Sequence, residues 1–148
     1  MPLATEPVVG KSTPHESAHL HVSGAASYTD DLPEPAGLPH LHVGQSARAH
    51  ARLTRLDLSA VRAAPGVVCV LTSADVPGRN EIGPVMNDEP LLPEGVVRYV
   101  GQPLFAVAAE SLPKARAAAA LALVDYGDLP RLLTIEAARA AKSLIEDS

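Results

Sequence analysis

The side chains in this sequence best suited to hold a metal are its six histidines. His19 and His21 stand two apart, as do His40 and His42. On a strand that spacing puts both rings on one face, where they could chelate. If residues 14 to 20 form a helix, the first pair diverges. No Asp or Glu joins either pair in a spacing such as H-E-x-x-H, so bare spacing carries little weight. Asp30-Asp31 and Asp88-Glu89 are adjacent carboxylates beside prolines. Sequence neighbours point apart, which suits solvated turns better than an acid/base dyad. Cys69 lies between Val68 and Val70, in a run that predicts a buried and therefore inert thiol. No glycine pattern matches G-x-G-x-x-G or a Walker A loop. That leaves "YVGQPLFAVAAES", residues 99 to 111. There Gly101 suits a tight bend, Pro103 suits the first position of a strand, and Gln102 has an amide to offer a neighbour.

The elements that must position these groups read as follows. Residues 1 to 12 form a leader or linker. Thr13, Pro14 and Glu16 give a capping box and a first-turn proline, which predicts a short helix over 14 to 20 that is closed off by Gly24. Residues 27 to 39, rich in Pro and Asp, are a loop. Strands are expected at 40 to 47 and 51 to 58, although alternation in the second is imperfect. Ser59 is placed to cap a short helix that Pro65-Gly66 stops. "VVCVLT", 67 to 72, predicts a strand buried on both faces. Ser73 to Gly95 is a long loop with one helical turn near Ala74. Its Ile82, Val85, Met86, Leu91 and Leu92 follow no period that would bury them all locally, which predicts an exposed apolar patch. "GVVRYV" and "PLFAVAA" are two more strands on either side of the 101–103 turn. Ser111 caps a helix whose Ala115, Ala118, Ala119 and Ala122 make a flat face for a sheet. "LVDY" is a last strand, and Thr134 caps a last helix. Val67 to Leu71 and Leu104 to Ala108 are the expected central strands. The order is mixed α/β (α+β), not a doubly wound sheet.

Composition sets the limits. A chain of 148 residues, 47% hydrophobic, fits one domain with a real core. With 3% aromatic residues and no Trp, that core is built of Ala, Val and Leu. A net charge of −5 without a basic block argues against nucleic acid. One cysteine excludes a disulfide framework, and also a Cys-rich zinc site or an iron–sulfur cluster held by this chain alone. "MPLATEPVVGKSTPHES" has no basic n-region and no apolar h-region, and "AAAALALV" (117 to 124) is too short to span a bilayer. A cytoplasmic protein without membrane contact is expected.

Four blocks, in order, resemble one family: "SGAASYTDDLPEP", "LDLSAVRAAPGVVCVLTSADVPGRN", "VRYVGQPLFAVAAESLPKARAAA" and "VDYGDLPRLLTIEAA". The chain resembles the N-terminal α/β hammerhead domain of the molybdenum hydroxylases, most of all that of the molybdopterin-binding subunit of bacterial xanthine dehydrogenase. The resemblance implies a single hammerhead domain over residues 13–143, with a tail at 144–148. It also implies a setting. Family enzymes oxidise purines or aldehydes at a molybdenum–pterin centre, and electrons leave through two 2Fe-2S clusters to FAD. The molybdenum-contacting residues and the base glutamate belong to the large domains that follow the hammerhead, so no catalytic, cofactor or metal residue is carried over to this chain. By this reading the chain binds no cofactor itself. Its partners are a molybdenum-domain chain and an iron–sulfur/FAD subunit of the same complex. Tyr28, Asp30, Gly101, Gln102 and Pro103 are its candidate domain-docking residues. The alternative is a stand-alone binding or scaffold domain, or a gene remnant without a catalytic complex.

Overall fold

The computed structural model describes residues 9–143, which fall into two units divided at Ala36/Gly37. In the first unit, helix α1 covers Ala18–Ser23 and a 3-10 turn covers Thr29–Asp31. The helix begins later than the 14 to 20 expected from the Thr13 capping box. The His15 ring nitrogen Nδ1 accepts the Ser17 amide and the His15 carbonyl accepts that of Ala18, so those residues close a turn ahead of the helix. Gly24, at a φ of 72°, ends the helix as expected.

The second unit holds two antiparallel three-stranded sheets. Its elements are β1 (His40–Gln45), β2 (Ala51–Asp57), α2 (Ser59–Arg62), β3 (Val67–Leu71), β4 (Val96–Val97), β5 (Pro103–Ala109), α3 (Leu112–Ala119), β6 (Leu123–Asp128) and α4 (Ile135–Ala140). One sheet runs β1-β5-β3 and the other β4-β2-β6. Ala51 and Val97 of the second sheet, Val70, Phe105 and Val107 of the first, Leu58 and Val61 at α2, and Ala118 of α3 make one buried cluster. Ala115 and Ala118 are buried while Ala119 and Ala122 are partly buried, so the small-residue face does lie on the sheet. Ser111 Oγ accepts the Lys114 amide and Thr134 Oγ1 that of Ala137, the two N-caps read from the sequence. At α2 the cap comes instead from Asp57, which accepts both the amide and the hydroxyl of Ser59. Those two bonds, with Arg55 beside them, hold the Asp57 carboxyl down to about 2.

The imperfect alternation of β2 has a structural cause. Its register against β6 slips between Leu53 and Arg55, so Thr54 is an extra residue and the inward phase resets to Leu56.

Strand β3 departs from expectation. It is an edge strand, not a central one, and only Val70 is buried. Its register also slips, between Val67 and Cys69. Helices α2 and α3 cover one side of this sheet, and nothing among the described residues covers Val68, which is 62% exposed. An apolar run reports that a strand wants cover on both faces, not that its own chain supplies it. Cys69, expected to be buried and inert, is exposed. It should therefore react with a thiol reagent in the folded chain at nearly the rate seen in urea. A native-state labelling time course by mass spectrometry checks this. A thiol released only by denaturant would restore the buried strand.

Candidate functional site

The 99–103 segment sits where the two sheets meet. Gly101, at a φ of 89°, takes a backbone conformation that a side chain resists. Its amide donates to the Ser46 carbonyl at 2.8 Å, and the Ser46 amide donates to the Gln102 carbonyl at 2.9 Å. The Gln102 side chain turns inward. Its Oε1 accepts the Arg98 amide at 2.7 Å, just beyond β4. The Ser46 hydroxyl donates to the Arg48 carbonyl and accepts the Arg48 amide, each at 3.0 Å. Ser46 and Gln102, each 3% exposed, are the buried polar residues of the domain's interior. Pro103 opens β5 opposite Gln45, as its missing amide suits.

This arrangement clamps the end of β1 and the start of β5 to the residue after β4. Every polar atom named above is spent on the chain's own backbone, so the corner holds shape and offers no acid, base or nucleophile. Gln102→Ala should cost about 1 kcal/mol, because the Arg98 amide loses its acceptor at a part-buried bond. Urea titration followed by circular dichroism measures it. An unchanged midpoint would show that the clamp does not matter.

The other candidates fall apart as chemistry. His19 and His21 lie on α1, while His40 and His42 share a face of β1. His21 Nδ1 instead meets the Tyr28 hydroxyl at 3.1 Å, and no cluster of three His, Cys, Asp or Glu that could hold a metal occurs among the described residues. Tyr28 is exposed, its amide held by Asp31, and Asp30 is exposed beside it in the first unit. The carboxyls displaced in pKa all move down. Ser59 holds Asp57, the Thr72 amide holds Asp75, and the Lys114 ammonium, 2.5 Å away, holds Glu110. A general base working near neutrality needs the opposite shift.

What the domain does present is grooves. Tyr99 and Val100, at the tip of the clamped turn, line one of about 600 Å³ with Arg98, Arg131, Leu132 and Leu133. A neighbour of about 400 Å³ shares Val100, Arg131 and Leu133 and adds Arg48 and Asp128. A third, of about 380 Å³, lies on the uncovered face of the first sheet among Leu41, Val43, Leu71, Pro77, Leu91 and Ala106. In the 73–95 loop, Ile82, Val85, Met86 and Leu91 are exposed as the sequence predicts, whereas Leu92 is buried. The arginines at the first two grooves escaped the sequence reading. They come from three distant segments and share no motif.

The family model for "Aldehyde oxidase and xanthine dehydrogenase, a/b hammerhead domain" matches residues 23–130. The chain belongs to this family. Xanthine dehydrogenase of Oryza sativa subsp. japonica is 41% identical over 140 residues, covering 95% of this chain. The solved aldehyde oxidoreductase of Desulfovibrio desulfuricans superposes with a TM-score of 0.74 at 32% identity, covering 88% of this chain. A Cu,Mo-CO dehydrogenase does so with a TM-score of 0.71 at 29% identity, covering 87%. This chain spans only 10% of the rice enzyme and 16% of each of the two solved chains. The two small sheets are those of a hammerhead domain, and in its homologues that domain is a fraction of a larger molybdenum enzyme.

Proposed function

We propose that this hammerhead domain has a structural and assembly role in a xanthine dehydrogenase-like molybdenum hydroxylase, and that purine or aldehyde hydroxylation belongs to the complete complex. The observation that carries this reading is the family match across residues 23–130 in a chain that spans 10% of a homologous enzyme. Its relatives are named for xanthine, aldehydes and carbon monoxide. A domain common to all three fits a shared structural duty better than a choice of substrate. The surface supports the same reading. Val68, Leu71 and Leu41 of one sheet, and Ile82, Val85 and Met86 of the adjoining loop, are apolar and exposed, as a surface that a partner covers would be.

In this proposal the partners are a molybdenum-domain chain and an iron–sulfur/FAD subunit, which carry the molybdenum–pterin, the 2Fe-2S clusters and FAD in the cytoplasm. Tyr28, Asp30, Gly101 and Pro103 take part in docking. Gln102 acts from inside, by fixing the turn that carries Tyr99 and Val100. No helix among the described residues is long and apolar enough to cross a membrane. Co-expression with the molybdenum-domain frame of the same genome tests the proposal. A stoichiometric complex on gel filtration is expected. Two chains that elute separately would favour a stand-alone scaffold.

A further inference from the structure

The grooves beside the clamped turn have an uneven charge. Arg98 and Arg131 line the larger one, and neither forms an ion pair with any described residue. Arg48 and Asp128 line the smaller one. They pair with each other at 3.3 Å, and the Arg48 guanidinium lies 5.6 Å from the centre of the Tyr126 ring. Asp128 is the one carboxylate lining either groove among the described residues, and it is taken. A chain with a net charge of −5 thus gathers three guanidiniums at one corner, two of them without an ion pair among the described residues. Between them the surface is apolar. Val100 is 65% exposed and Leu133 69%, with Tyr99 and Leu132 also open.

We infer that this corner receives an extended segment of a partner protein, with a large apolar side chain seated on Val100 and Leu133 and carboxylates reaching Arg98 and Arg131. The inference rests on the docking role proposed above and names the chemistry of what docks. An apolar centre with a Tyr and an Arg rim is the anatomy of a protein interface. A phosphate or nucleotide site is built differently, from a nest of backbone amides at a glycine-rich turn, and the Gly101 and Gln102 amides here are already bonded to Ser46 and Tyr99. Arginine suits this rim because its fork meets a carboxylate with two parallel bonds.

The test is a random peptide display library panned against the full chain and, in parallel, against Arg98→Glu/Arg131→Glu. Both arginines are exposed, and a thermal melt verifies that the variant folds. Peptides enriched on the wild type should carry Asp or Glu on one or both sides of Leu, Ile or Phe. Their affinity should fall about tenfold or more on the double variant, and return when the acids become Lys. Leu133→Ser should weaken the same peptides without changing their charge preference. Enriched peptides that lack carboxylates, or that bind the reversed variant equally well, would overturn the charge assignment and leave docking itself standing. Displacement of the peptides by millimolar inorganic phosphate would reassign the corner as an anion site. Failure of any sequence to enrich would overturn the inference, while complex formation with the molybdenum-domain chain judges the docking role independently.

Discussion

Gly44→Ala is expected to destabilise the chain by about 1–3 kcal/mol, and Phe105→Ala by about 3–5 kcal/mol. The two residues face each other across β1 and β5. A Cβ built on Gly44 would lie well inside contact distance of Phe105 Cζ, so the absence of a side chain at 44 is what lets the end of the ring approach the strand. The ring cannot swing away. It is 2% exposed and packs among Val61, Val97 and Val107, the other fully buried large side chains. The backbone cannot retreat either, because β5 is paired on both sides. Phe105 is the only phenylalanine in the chain, and the other buried apolar side chains of the core are Ala, Val and Leu, none with the volume to fill the gap. Against a total stability of about 5–15 kcal/mol, either loss is large. Urea midpoints for both variants, for Phe105→Leu alone and for Gly44→Ala/Phe105→Leu form the check. The double variant should cost clearly less than the sum of its singles, since a smaller side chain at 105 leaves room for the new methyl. Additive losses would mean that the glycine and the ring do not share the space.

Much of this fold is legible in short stretches of sequence, and the reason is locality. Ser111 and Thr134 cap their helices through amides three residues away, so residue type alone predicts them. The alanine face of α3 follows from the helical repeat. The apolar run of β5 is that of a central strand, although the apolar run of β3 belongs to an edge. What stayed hidden depends on what lies across from a strand. The slips at Thr54 and Val68 come from pairing with β6 and β5, and neither neighbour can be read from β2 or β3. The same holds for Cys69. Its neighbours are apolar, but the cover for that face is not among the described residues. The sequence singles out Gln102 for an amide to offer a neighbour, and its Oε1 does accept the Arg98 amide; what the sequence leaves hidden is that the tip this bond supports, Tyr99 and Val100, faces outward.

The 148 residues on their own are expected to turn over neither xanthine nor an aldehyde, and to hold no molybdenum, iron or flavin. Hydroxylation of this kind needs a bound pterin, a carboxylate base beside the metal and an exit for electrons. One cysteine cannot hold a 2Fe-2S cluster, which takes four thiolates. No G-x-G-x-x-G pattern is present to seat a dinucleotide. The carboxyls with displaced pKa values, Asp57, Asp75 and Glu110, are all displaced downward by bonds to nearby donors, which makes each a weaker base. Enzymes of ordinary proficiency accelerate their reactions by about a million-fold or more, so the contrast between absent and present machinery is all or none. Metal analysis and a dye-coupled assay, run first on the chain alone and then after assembly with the molybdenum-domain and iron–sulfur/FAD chains, make the measurement. Turnover is expected only after assembly. Stoichiometric molybdenum or turnover in the chain alone would place a catalytic centre in this domain and overturn the assembly role. A complex that forms but stays inactive with xanthine and becomes active with an aldehyde would keep that role and move the enzyme to the aldehyde branch.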